Sequence, residues 1–162
     1  MIIRRASPDD AARLADLGAR TFRDTFAAHN RAEDMDAYLS RTYGEAYQRS
    51  EIADPRLITL LVEEDDALIA FAQLRATDSE LEIARFYVDG PWHGRGVAQS
   101  LMRVIVETAR ELRATRIWLG VWEHNTRAIA FYIKCGFRDC GSQPFLLGSD
   151  LQTDRVMELR LG

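Results

Sequence analysis

The stretch from Leu81 to Leu112 constrains the fold more than any other part of the chain. Leu81 to Val88 reads as a strand bounded by Asp89-Gly90-Pro91, and Pro91-Trp92-His93-Gly94-Arg95-Gly96-Val97-Ala98 follows as a glycine-bearing loop. From Gly96 to Leu112, Val97, Leu101, Val104, Ile105, Thr108 and Leu112 then form one helical stripe. A strand that passes directly into a one-sided helix needs a sheet for that helix to cover, which points to an α/β or α+β fold. Glycine lets a ligand come close to the backbone, and the free N–H groups of a helix start, with the helix dipole, favour an anion such as a pyrophosphate. A glycine-rich turn is also an ordinary tight connection, so the loop alone does not decide.

The rest of the chain supplies the sheet. Ile2 to Arg5 is a short strand, and Ser7-Pro8-Asp9-Asp10 starts a helix whose Ala11, Leu14, Ala15, Leu17 and Ala19 share helical spacing. Residues 33 to 53, with Met35, Tyr38, Leu39, Tyr43, Ala46 and Tyr47 among charged neighbours, predict one or two surface helices ending before Asp54-Pro55. Arg56 to Glu63 and Ala67 to Arg75 are strands joined by an acidic hairpin turn at Glu63-Glu64-Asp65-Asp66. Arg116 to Trp122 is an aromatic-rich strand, and Asn125 caps a helix that runs to Cys135 and stops at Gly136. Phe137 to Cys140 and Thr153 to Leu161 predict two last strands around a Gly/Ser/Pro loop. The order is β-α-α-β-β-β-α-β-α-β-β. A chain of 162 residues with no repeat or linker is expected to form one domain over its whole length.

Composition removes several function classes. A net charge of −4 and the lack of a lysine/arginine block disfavour nucleic acid as a partner. Apolar runs such as Leu60-Leu61-Val62 fall far short of the roughly 20 residues that cross a bilayer, so no membrane association is expected. The start Met-Ile-Ile-Arg-Arg-Ala-Ser-Pro has no apolar signal core, which favours the cytoplasm. Cys135 and Cys140 lack metal-type spacing and are expected to be free buried thiols, and His93 and His124 are read as loop histidines with no third ligand, so no metal is expected.

Three phosphate loops compete for the glycine segment. A P-loop needs a Gly-Lys-Ser/Thr end, and no lysine stands there. A dinucleotide fingerprint needs a third glycine where Gln99 stands, in a first β-α unit that this is not. The third fits: His93-Gly94-Arg95-Gly96-Val97-Ala98 resembles the Q/R-x-x-G-x-G/A loop of the Gcn5-related N-acetyltransferase (GNAT) superfamily, departing at His93. Asn125-Thr-Arg-Ala128-Ile-Ala-Phe131-Tyr132-Ile-Lys-Cys-Gly136-Phe137 resembles the second motif of that family, N-x-x-A-x-x-F/L-Y-x-x-x-G-F. Within the family the chain looks like the Pai-type polyamine (spermidine/spermine) acetyltransferases at Thr21 to Phe26, at Leu119 to Asn125 and at Thr153 to Met157.

The resemblance implies a mixed sheet of about six to seven strands with about four helices, splayed at the cofactor. It implies acetyl-CoA as co-substrate, a small-molecule amine as acceptor, and direct attack in a ternary complex. Cofactor contacts fall on Phe86, Val88, His93, Gly94, Arg95, Gly96, Val97, Ala98, Gln99, Asn125 and Tyr132. Tyr132 is implied as proton donor to the departing thiolate, beside its reading as a core tyrosine; Asn125 is a helix cap that also borders the pantetheine arm. Glu82 matches the position of the general base, and strand alternation groups it with Ala84, Phe86 and Val88, among apolar neighbours that would raise its pKa; the competing reading is a solvated residue at a strand start. Glu33, Asp34 and Asp36 are expected to border the acceptor groove and favour a polyamine. A non-catalytic acyl-CoA-binding regulator, a nucleotide-binding module and a homodimeric state stay open.

Overall fold

In the computed structural model, which describes residues 1–162, the chain runs β1 (Ile2–Arg5), α1 (Ala11–Phe26), α2 (Ala32–Thr42), α3 (Glu45–Ala53), β2 (Leu57–Glu64), β3 (Ala67–Ala76), β4 (Glu80–Val88), α4 (Val97–Glu111), β5 (Arg116–Trp122), α5 (Thr126–Lys134), β6 (Arg138–Leu147) and β7 (Asp150–Arg160). The seven strands make one sheet in the order β1-β2-β3-β4-β5-β7-β6. All neighbours are antiparallel except β4 and β5, which α4 connects as a crossover. The sheet has the number of strands expected, with five helices where about four were anticipated.

Local chemistry explains where elements begin and turn. Asp10 accepts from the Ser7 N–H at 2.8 Å and from the Ser7 hydroxyl at 3.3 Å, which closes the first turn before α1. Asp65 and Asp66, with φ of 51° and 63°, make the tight β2–β3 turn whose twist suits a hairpin. Asn125 caps α5 by accepting from the Ala128 N–H at 3.3 Å, and Gly136, with φ of 98°, ends it.

The sheet buries a core on each face. Val97, Leu101, Met102, Ile105 and Ala109 of α4, with Tyr132 of α5, pack against Leu81, Ile83, Ile117 and Leu119. On the other face, Leu14, Leu17, Phe22 and Phe26 of α1 and Met35 and Leu39 of α2 meet Tyr43, Phe71 and Trp122. The predicted surface helices are therefore two, and the first is a core element: its polar sequence hides a buried Met35/Leu39 edge.

Two further readings are corrected. The Gly/Ser/Pro stretch is strand, since β6 continues through Pro144 to Leu147. β6 is the sheet's edge, where a residue without an N–H is tolerated on the unpaired side. The alternation through β4 is also interrupted. Gln73 pairs with Arg85 but Leu74 pairs with Ile83, so Ala84 is an extra residue in a bulge and the side chains beyond it change face.

Candidate active site

The parallel ladder between β4 and β5 runs only from Glu80↔Arg116 to Ile83↔Leu119. Beyond it β4 stays paired to β3 as far as Val88, and β5 to β7 as far as Trp122. The two facing edges therefore diverge with their backbone groups unpaired toward each other. A cavity of about 690 Å³ occupies the opening.

One half of the cavity is backbone. Gly94, Gly96, Val97, Ala98 and Gln99 line it where the loop enters α4. Gly94 and Gly96 have φ of 77° and 80°, which side chains rarely adopt, and nothing lies within 4 Å of where a Cβ would stand on either. The first N–H groups of α4 have no partner within the helix and face this open space. His93 explains how the loop is held despite its unusual first residue: its Nε2 lies 2.7 Å from the Val88 carbonyl and its Nδ1 2.6 Å from Arg127 Nη1. The neutral tautomer with the proton on Nε2 satisfies both contacts, fastening the loop to β4 and to α5. Arg95 leaves the cavity and lies over the Trp92 ring at 5.1 Å.

Phe86, Val88, Asn125 and Tyr132 line the middle. The Phe86 ring meets Tyr132 edge-on at 6.0 Å. Burial pushes the Tyr132 phenol above its ordinary range, so it stays protonated and can serve as a donor.

The other half is aromatic. Phe22 stacks on Phe26 at 4.3 Å, Phe26 meets Trp122 at a tilt at 4.8 Å, and Tyr38 stands edge-on to Phe145 at 5.7 Å. Two carboxylates, Asp24 and Asp154, line the same cavity. Asp24 is exposed on α1, whereas Asp154 is half-buried on β7 opposite Trp122. Burial pushes the Asp154 carboxyl up to about 6, against an opposing pull from Gln143. Gly120 makes room for it: a Cβ there would sit 3.0 Å from Asp154 Oδ2 and collide with the Gln143 amide.

Glu82 is not part of this arrangement. It precedes the Ala84 bulge, so it shares no face with Phe86 and Val88. Its Oε1 accepts from Arg75 Nη1 at 2.8 Å across the β3–β4 ladder, where it has a cation for a neighbour and the apolar surroundings expected of it are lacking. It stands at the paired end of β4, outside the cavity lining. The acidic residues of α2 are also turned elsewhere. Asp34 is buried and accepts from the Ser149 N–H and hydroxyl at 2.8 Å, Asp36 pairs with Arg23 at 3.3 Å, and Glu33 with Arg31 at 3.5 Å. Cys135 is half-buried with its thiol pushed up by burial, and Cys140 is exposed at a β6 bulge, where it was expected to be buried.

Asp154 is the site residue that sequence reasoning missed. It stood only within the Thr153-Asp154-Arg155 segment of the Pai-like resemblance, and its relation to Gly120 needs the β5–β7 register.

A family profile described as acetyltransferase (GNAT) family matches residues 20–137. The chain belongs to the GNAT family. An N-acetyltransferase of Mycobacterium tuberculosis, itself uncharacterised, is 34% identical over 149 residues, 91% of this chain and 96% of its own length. The crystal structure of the PaiA N-acetyltransferase from Thermoplasma acidophilum in complex with coenzyme A superposes with a TM-score of 0.87 at 21% identity, covering 99% of this chain and 98% of that one. The spermine/spermidine N(1)-acetyltransferase of Bacillus subtilis is 31% identical over only 62 residues, 38% of this chain. Family membership and the GNAT fold make the protein an N-acetyltransferase, while the likeness to the polyamine branch is partial. No helix is long and apolar enough to cross a membrane.

Proposed function

We propose that the protein moves an acetyl group from acetyl-CoA to a primary amine by direct attack in a ternary complex. The observation that carries this is the unpaired gap between β4 and β5, opening onto a helix start kept bare by Gly94 and Gly96. Those open positions fit a pyrophosphate, which the N–H groups of the first α4 turn would hold. Backbone groups of Phe86 and Val88 would pair with the pantetheine and acetyl portions, with Asn125 alongside. Acetyl-CoA supplies the thioester carbon. Tyr132 gives its proton to the departing sulfur, a role its buried and protonated hydroxyl suits.

Isothermal titration with acetyl-CoA, then a free-thiol assay over a panel of amines, tests the reading. Micromolar binding with thiol release for at least one amine is expected. Tight binding with silence across the panel would favour a non-catalytic acyl-CoA-binding regulator. Gly96→Val forces a β-branched residue to a φ of 80° and puts two methyls where the anion approaches. It should raise the acetyl-CoA dissociation constant at least about tenfold, equivalent to about 1.4 kcal/mol, with the fold retained by circular dichroism.

A polyamine acceptor is the finer reading. The Bacillus subtilis match and the two carboxylates of the aromatic half support it, although the α2 carboxylates do not. Spermidine should then beat monoamines by well over tenfold in kcat/KM and lose that lead as salt screens attraction over about 8 to 10 Å. A salt-insensitive preference for a monoamine removes the polyamine and leaves the acetyltransferase.

A further inference from the structure

An amine enters at neutral pH as an ammonium ion, and its lone pair is free to attack only after a proton leaves. A group that takes the proton must reach the acceptor half of the cavity, must be ionised at working pH, and must not be neutralised by a permanent cation. Glu82 meets none of the positional requirements, as its place in the ladder and its Arg75 partner show.

Asp154 meets all three. It lines the cavity on the face of β7 shared with Trp122 and Gly120. Its strand neighbour Arg155 is turned away and grips Asp139 through two contacts of 2.7 and 2.8 Å, so no ion pair forms at Asp154. Asp24, the other carboxylate of this half, is exposed to water on α1, whereas Asp154 is half-buried within the cavity wall. Tyr38 of α2 acts electrostatically on Asp154, and the other titratable or charged groups lining the cavity are Asp24, His29, Tyr43, Arg85, Tyr87, His93, His124, Arg127 and Tyr132.

Resting on the reading of the site as an amine acetyltransferase, we propose that Asp154 is the base that accepts the proton of the incoming ammonium. The nitrogen then bonds to the thioester carbon while the carbon–sulfur bond breaks and its electron pair leaves on sulfur. The thiolate takes the Tyr132 proton, the second nitrogen proton restores Tyr132 through solvent, and Asp154 releases the first to water. The balance is ammonium plus thioester giving amide, thiol and one proton. Because the carboxyl sits at about 6, the base form is present at neutral pH and is lost on acidification.

The test is Asp154→Asn, assayed with the best alkylamine of the panel and with methoxyamine, which is already neutral at pH 7. With the alkylamine, kcat/KM should fall about 100-fold or more. The acidic limb of the parent's pH profile near pH 6 should disappear, and acetyl-CoA affinity should stay within about twofold. With methoxyamine the loss should shrink below about tenfold, since no proton need be removed first. A carboxyl raised in the folded state loses stabilisation as pH rises through about 6, so the asparagine variant should melt no lower than the parent at pH 8. Equal losses with both nucleophiles, or an unchanged acidic limb, overturn the assignment while leaving the acetyltransferase standing. A parent that acetylates no amine at all overturns the functional reading and this inference with it.

Discussion

Replacing Tyr132 by phenylalanine is expected to lower kcat about 100-fold or more while leaving acetyl-CoA affinity within about twofold. The substitution keeps the ring that meets Phe86 at 6.0 Å and Phe137 at 5.7 Å, so packing in the α4/α5 core is preserved. What is removed is one hydroxyl in a desolvated setting that holds it protonated. A proton is needed only as the sulfur leaves, so the loss should fall on turnover and not on ground-state binding. Single-turnover mixing separates the two. If the variant keeps its parent's rate for thiol release, water or another group supplies the proton.

The second large effect concerns stability. Arg85 lines the cavity with only 15% of its side chain exposed, paired at 2.6 Å with Glu51, itself 12% exposed. Gln73 also contacts Arg85, Gln48 bridges Gln73 at 2.9 Å and Glu51 at 3.2 Å, and the guanidinium lies 5.4 Å from the Tyr43 ring. Glu51→Ala leaves that cation without its counter-charge, and equilibrium urea unfolding should show a loss of about 3 to 5 kcal/mol. Glu51→Leu combined with Arg85→Met should recover most of it, because an apolar pair removes both desolvation costs. A loss under about 1 kcal/mol in the single variant would mean that water entering through the cavity already solvates Arg85.

What could be read from the sequence follows from which signals are local. The α4 stripe, the Asn125 cap and the Asp65-Asp66 turn depend on residues within a few positions, and each formed where the pattern placed it. Glu82 was misplaced because a bulge carries no compositional mark: Ala84 looks like any strand alanine, and its insertion moves Phe86 and Val88 to the face opposite Glu82. β6 was cut short because Gly, Ser and Pro usually end strands, and only its place at the sheet edge lets Pro144 remain inside one. Asp154 was missed for a third reason. Its setting is built by Gly120 and Gln143 on neighbouring strands, so its meaning arises only once β5, β6 and β7 are in register.

The brief contact between β4 and β5 has a mechanical consequence. Strands β1 to β4 form one plate and β5, β7 and β6 another, and along their common border the backbone joins them only at one end, through the Thr115 N–H to the Ser79 carbonyl at 2.7 Å and the ladder of Glu80–Ile83 with Arg116–Leu119. On the proposed binding mode acetyl-CoA would pair with Phe86 and Val88 of the first plate and lie beside Asn125, which follows the second, so it would act as a rivet. Amides between Ala84 and Val88 that point toward β5 should exchange with deuterium faster than those of the β2–β3 ladder until acetyl-CoA is added, and the melting temperature should climb with the logarithm of its concentration. On that binding mode the substrate that the enzyme consumes would also be the piece that closes its sheet, and each turnover would pass through a looser molecule.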